Sequence, residues 1–220
     1  MNGKEILSHV DHTQLKAYCT WEDIRALCEE AITLCTASVC VPPCYIRRIR
    51  EAYPDLNICT VVGFPLGYCV TEAKAAETRK ALEDGADEID MVINITDVKN
   101  GDFASVEEEI RTLRKITKGK ILKVIIETCY LTEEEKIRLC EIVTKAGADY
   151  IKTSTGFGTA GATLEDVRLF REHVGEMVKI KAAGGIRTWE DMENFLEEGC
   201  SRLGTSSAVQ LLKKEKGEQK

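Results

Sequence analysis

Lys152 stands where a short apolar run gives way to hydroxyl and glycine residues, in Tyr150-Ile-Lys-Thr-Ser-Thr-Gly-Phe-Gly158. The run reads as the end of a buried strand, and the residues after it suit a loop whose backbone approaches a ligand closely. An amine placed there has two chemical uses: a fixed cation for an anion, or a neutral nucleophile that condenses with a carbonyl. The bland alternative is a lysine that merely snorkels to the surface. Two further patterns weigh against it. Gly85-Ala-Asp-Glu-Ile-Asp90 and Gly147-Ala-Asp-Tyr-Ile-Lys152 share one frame, which puts Asp90 and Lys152 at equivalent places on two strands. On the next strand, in Lys179-Ile-Lys-Ala-Ala-Gly-Gly-Ile-Arg187, the alternation puts Lys181 on the same face as Lys179 and nearer the glycine loop. Two neighbouring lysines repel, so one is expected to lose its proton well below the usual value of about 10.4, toward about 7 to 8. Imine formation needs such a neutral amine.

Short apolar strands have to hold these groups in place, and the chain supplies eight candidates: 10–12, 38–41, 57–62, 88–93, 121–126, 150–153, 178–182 and 202–204. Amphipathic helices fill the gaps, at about 21–34, 43–53, 71–84, 103–117, 132–146, 164–174, 188–198 and 206–214. Thr20, Thr132, Thr163 and Thr188 each precede an acidic residue by three positions (Asp23, Glu135, Asp166, Asp191), the spacing of a capping box. Eight β/α units imply an α/β fold, a single (β/α)8 TIM barrel over residues 1–212 with a polar tail at 213–220; a flavodoxin-like open sheet is the weaker option. In a barrel, Asp90 and Lys152 on alternate strands face each other in one layer. The plain reading of that pair is a buried ion pair that fixes register. Gly184 and Gly185 follow strand seven, and Gly204 with Ser206 and Ser207 follows strand eight. Those two loops commonly bind phosphate in barrels, so a small phosphorylated substrate is expected.

With 220 residues and 44% hydrophobic content, the chain can build one sizeable core. Its net charge of −7 argues against nucleic acid or an anionic membrane as the main partner, while leaving room for a locally positive pocket. The N-terminal residues lack a signal-peptide pattern and no long apolar run occurs, so a cytoplasmic protein is expected. Ten cysteines are scattered without any C-x-x-C pair, which disfavours both zinc and disulfides. His9 and His12 lie close in sequence but have no third ligand near them, and no metal is expected.

Taken together, Asp11-His-Thr-Gln-Leu-Lys16, Val62-Gly-Phe-Pro-Leu-Gly67, Glu88-Ile-Asp-Met-Val-Ile-Asn94, Lys123-Val-Ile-Ile-Glu-Thr128, Ile151-Lys-Thr-Ser-Thr-Gly-Phe157, Lys181-Ala-Ala-Gly-Gly-Ile-Arg187 and Gly204-Thr-Ser-Ser207 resemble, in order and over nearly the whole chain, the motifs of the deoxyribose-phosphate aldolases. The resemblance implies a class I aldolase, free of cofactor and metal, that reversibly cleaves 2-deoxy-D-ribose 5-phosphate to glyceraldehyde 3-phosphate and acetaldehyde. By the same resemblance Lys152 is the imine-forming lysine, Lys181 its electrostatic neighbour and Asp90 the proton-moving carboxylate. Thr13, Thr155 and Gly156 fall where substrate is contacted, Asp11 and Lys123 in a surrounding polar network, and Cys40 near the aldehyde pocket. A homodimer is expected for a small barrel of this type. Two positions depart from the family pattern: Phe157 stands where some members have a lysine, and the tail ends without a tyrosine. Another phosphosugar aldolase, or a non-catalytic phosphosugar-binding barrel, are the alternatives.

Overall fold

The computed structural model describes residues 1–209. Eight parallel strands pair in chain order and close on themselves: β1 (Val10–Thr13), β2 (Ser38–Val41), β3 (Ile58–Val62), β4 (Glu88–Val92), β5 (Ile121–Ile125), β6 (Tyr150–Lys152), β7 (Lys179–Ala183) and β8 (Arg202–Thr205). The barrel is completed where Asp11 of β1 registers with Gly204 of β8. The open sheet is thereby excluded. Around the barrel run α1 (Gly3–Leu7), α2 (Trp21–Leu34), α3 (Ile46–Ala52), α4 (Thr71–Glu83), α5 (Ile95–Lys99), α6 (Phe103–Ile116), α7 (Glu133–Ala146), α8 (Leu164–His173) and α9 (Trp189–Glu197). The helix expected over 206–214 lies mostly outside the described residues, as do the domain boundary at 212 and the tail.

Local chemistry sets most of the boundaries. Thr20, Thr132 and Thr188 form complete capping boxes with Asp23, Glu135 and Asp191. Thr163 caps only one way: its side chain accepts from the Asp166 N–H, while the Asp166 carboxylate turns to Lys136 at 2.6 Å. An ion pair with a neighbouring helix replaces the reciprocal bond. The helix expected over 43–53 divides into a 3-10 turn at Pro43–Tyr45 and α3. The short helices α1 and α5 were not expected. Each starts at an asparagine, Asn2 or Asn94, that accepts a backbone N–H from inside the helix.

Strand alternation sorts the side chains into two environments. In β4, Ile89 and Met91 join the large apolar layer beneath the helices, as do Leu122 and Val124 of β5 and Ile180 and Ala182 of β7. The residues between them, Glu88, Asp90, Lys123 and Lys181, are buried on the other side, inside the barrel. The interior is therefore ionic over much of its height, with a small apolar group of Cys40, Cys59 and Val61. Among the described residues no helix is long and apolar enough to cross a membrane.

Candidate active site

Charged side chains inside a barrel must find partners, since an isolated buried ion is far too costly. Asp90 is the hub. Its Oδ2 accepts from Lys152 Nζ and from Lys181 Nζ, each at 2.7 Å, and its Oδ1 accepts from Lys123 Nζ at 2.8 Å and from Cys59 Sγ at 3.2 Å. Sheet register explains the convergence: Lys152 and Lys181 are direct neighbours across β6 and β7, and Asp90 and Lys123 across β4 and β5. A second carboxylate, Asp11, accepts from Lys181, from Ser38 Oγ at 2.7 Å and from Arg202 Nη1 at 2.6 Å. The third, Glu88, lies 2.5 Å from Lys123 and within 3.2 Å of Arg202.

These contacts favour the charged forms of Asp90, Asp11, Lys181 and Lys123. Burial pushes the Asp90 carboxyl up, but the Lys123, Lys152 and Lys181 charges outweigh it and hold the group well below the carboxylate range. Asp11 behaves the same way: burial is overcome by Lys181, Lys123 and Arg202. Burial alone would lower Lys181, yet Asp11 and Asp90 raise it above the ordinary lysine range, and Lys123 is raised likewise by Asp90, Cys59, Asp11 and Glu88. The expectation of two lysines in bare repulsion is thus corrected, because the Asp90 oxygen bridges them. Lys179, on the same face as Lys181, sits at the exposed start of β7 over the Tyr150 ring.

Above this network opens a cavity of about 290 Å³. Nine of the residues singled out from the sequence line it: Thr13, Lys152, Thr155, Gly156, Gly184, Gly185, Gly204, Ser206 and Ser207. Asp90, Lys181, Asp11, Lys123 and Cys40 do not; they are buried within the barrel. Lys152 joins the two levels, lining the cavity while its amine touches Asp90. Close approach is built into the walls. Gly184 has φ +81°, and a Cβ there would come within 3.2 Å of the Gly156 and Gly161 backbones. Cys40 lies beside Cys59 in the barrel interior, and burial pushes the Cys59 thiol well up. Leu15 and Phe64 pack on that pair, and Phe64 meets Phe157 edge-on at 5.3 Å.

Several participants escaped the sequence reading. Glu88 lies two residues before Asp90 and Arg202 two before Gly204, so strand alternation already put each on the inner face. Glu127 sits in a quoted motif but follows the strand, where alternation gives no signal. Lys16 and Arg187 bring two more cations to the cavity wall. Two trios, Cys40 with Cys59 and Asp90, and Asp11 with Cys59 and Glu88, have ligand atoms within 4.8 Å of one another. Their carboxylates, however, already face Lys123, Lys181 or Arg202, whose charges oppose an added cation. His9 and His12 do not converge: His9 Nδ1 meets the Ser201 carbonyl and His12 Nε2 meets Glu30, each at 3.0 Å.

The same arrangement of strands and loops occurs in known proteins. The profile of the DeoC/LacD family aldolases matches residues 6–213. A deoxyribose-phosphate aldolase of Clostridium botulinum (strain Alaska E43 / Type E3) is 67% identical over 216 residues, 98% of each chain. One from Clostridioides difficile (strain 630) is 57% identical, over 96% of this chain and 97% of its own. Among solved structures, the tetrameric deoxyribose phosphate aldolase from Aeropyrum pernix superposes with a TM-score of 0.90 at 31% identity, covering 99% of this chain and 94% of that one. A profile that spans the barrel and relatives alike from end to end leave one conclusion, that this chain belongs to the DeoC/LacD family of aldolases and is a lyase.

Proposed function

We propose that the enzyme is a class I aldolase that reversibly cleaves 2-deoxy-D-ribose 5-phosphate to D-glyceraldehyde 3-phosphate and acetaldehyde through an imine on Lys152, with no metal or cofactor. One observation carries the reading: Lys152 is the lysine that both lines the cavity and bonds the central carboxylate. The charge count supports it. Among the described residues, Lys123, Lys152, Lys181 and Arg202 form ion pairs with three carboxylates, Asp11, Glu88 and Asp90, so one amine can be uncharged without leaving any of those three bare, while Glu127 acts on Lys152 from farther off. Lys152 has a single carboxylate partner where Lys181 has two.

In the proposed cycle the neutral Lys152 amine adds to the C1 carbonyl of the open-chain sugar, and loss of water with uptake of one proton from solvent gives an iminium. The electron pair of the C2–C3 bond moves into that iminium and forms an enamine, while the C3 hydroxyl gives up its proton and becomes the aldehyde of glyceraldehyde 3-phosphate. Asp90, assisted by water, passes this proton on. Its carboxyl is held well below the usual range, so it relays protons rather than storing them. Protonation of the enamine at C2 and hydrolysis then free acetaldehyde and Lys152. Lys181 stays charged between Asp11 and Asp90 as the fixed cation.

The 5-phosphate is assigned to the far wall, where Gly184, Gly185, Gly204, Ser206 and Ser207 meet Arg187 and Lys16. Phe157 contributes backbone only. A cytoplasmic homodimer completes the proposal. The decisive experiment is borohydride reduction in the presence of acetaldehyde with peptide mapping, run beside a coupled assay for glyceraldehyde 3-phosphate. We expect one ethyl adduct, on Lys152, and its loss together with turnover in Lys152→Leu. An adduct on Lys181 or Lys123 reverses the assigned roles.

A further inference from the structure

At the end of β5 the chain turns through Glu127 with φ 54°, a left-handed conformation that costs a side-chain-bearing residue about 1 kcal/mol or more. The turn buries the carboxylate at 2% exposure and aims both its oxygens at one residue, Thr155. The Thr155 N–H donates to Oε1 at 3.2 Å and to Oε2 at 3.3 Å, and the Thr155 hydroxyl donates to Oε2. The loop is fitted closely around this contact, since a Cβ at Gly158 would lie 3.1 Å from the Glu127 carboxyl carbon and 2.8 Å from Cys129 Sγ.

Counting donors and acceptors gives the consequence. A hydroxyl has one hydrogen and two lone pairs, and a carboxylate only accepts. The Thr155 hydrogen is therefore committed to Glu127, and one lone pair accepts the Phe157 N–H at 3.0 Å. What Thr155 has left is a lone pair, on a residue that lines the cavity beside Lys152. We infer that Glu127 is a positioning residue that fixes the Thr155 hydroxyl as an acceptor toward the cavity, so that the site selects a ligand presenting a hydroxyl donor there over one presenting a carbonyl or ether oxygen. The inference rests on the phosphosugar aldolase reading above and names what that reading leaves open, the polarity of one substrate contact.

Glu127→Gln tests it with nearly unchanged shape. An amide has a single oxygen, so its NH2 group either donates to Thr155 Oγ1, freeing that hydroxyl to point its hydrogen into the cavity, or confronts the Thr155 N–H. Two reactions are compared in the wild type, Glu127→Gln, Thr155→Val and the double variant. One is cleavage of 2-deoxyribose 5-phosphate, which carries hydroxyls; the other is borohydride trapping of acetaldehyde, which carries none. In each variant the loss in kcat/KM for cleavage should exceed the loss in trapping by about three- to tenfold, the size of one hydrogen bond, and should appear chiefly in KM. The double variant should lose no more than Thr155→Val alone, because Glu127 acts through Thr155. Equal losses in the two reactions, or multiplying losses in the double variant, overturn the inference while the aldolase reading stands. A wild type that neither cleaves the sugar nor traps acetaldehyde overturns both.

Discussion

At the residue scale, the site depends on which amine carries its positive charge. Lys181 is wholly buried with two carboxylate partners, whereas Lys152 reaches the cavity and has one. Lys181→Leu would remove a cation from between Asp11 and Asp90, and more of the site's positive charge would then rest on Lys152. Attack by that amine should slow near neutral pH and recover in part as the pH is raised, measured as the pH profile of acetaldehyde trapping. The same substitution leaves two buried carboxylates short of a partner, so a stability loss of about 3 to 5 kcal/mol should accompany it, read by urea unfolding. Asp90→Asn should behave differently, still permitting some trapping while slowing cleavage by about 10²- to 10⁴-fold. Much of this was legible in the sequence, because Lys152, Asp90 and Lys181 all stand out as charged residues inside strands. Their pairing was not. Alternation tells which face a residue takes, but the bridging of two lysines by one carboxylate oxygen depends on distances across the barrel that no spacing along the chain encodes.

At the scale of the elements, each strand end delivers its side chain only because neighbouring strands pack at fixed separation, and β7 and β8 approach closely at Gly204. A Cβ at that position would stand 2.9 Å from Ala183 Cβ and 3.2 Å from Lys181 Cε. Ala183 has no rotamer by which to retreat, so Gly204→Ala must push β8 away from β7 or displace Lys181. Such overpacking costs about 1 to 3 kcal/mol, and misplacing a site group by a fraction of an ångström lowers kcat steeply. A fall of tenfold or more in kcat, together with a lowered Tm, is the expected outcome. The strands were placed from the sequence within a residue or two, since each is a short apolar or alternating run bounded by turn residues. The loops were less legible. Glu127 follows β5, and its turn onto Thr155, 28 positions on, depends on how two loops meet. Helix α5 was missed because five residues are too few to show a period.

At the scale of the whole molecule, the ionic interior links all eight strands through Asp11, Ser38, Cys59, Glu88 and Asp90, Lys123, Lys152, Lys181 and Arg202, with Arg202 to Asp11 spanning the closure between β8 and β1. Acid should therefore loosen the barrel from its centre. Asp11 and Asp90 have folded-state pKa values below the unfolded value of about 3.9. Their contribution to stability is complete above that value and is lost as pH falls through the folded values. Glu109 and Glu127 have the opposite sign. Burial raises both, so their protonated forms favour the fold, and that contribution fades as pH rises from about 4.5 through the folded values. As pH falls from the folded values of the two glutamates toward about 4.5, the urea midpoint should hold level or rise slightly, since their protonation helps and the aspartates remain charged. Below about pH 4 it should fall with increasing slope as the aspartates take up protons and the buried lysines and Arg202 lose their partners. In Asp90→Asn the midpoint should start lower at pH 7 and fall less steeply in acid, because one of the two carboxylates that drive the transition is gone. An equal acid slope in wild type and Asp90→Asn would place the acid sensitivity on surface carboxylates instead.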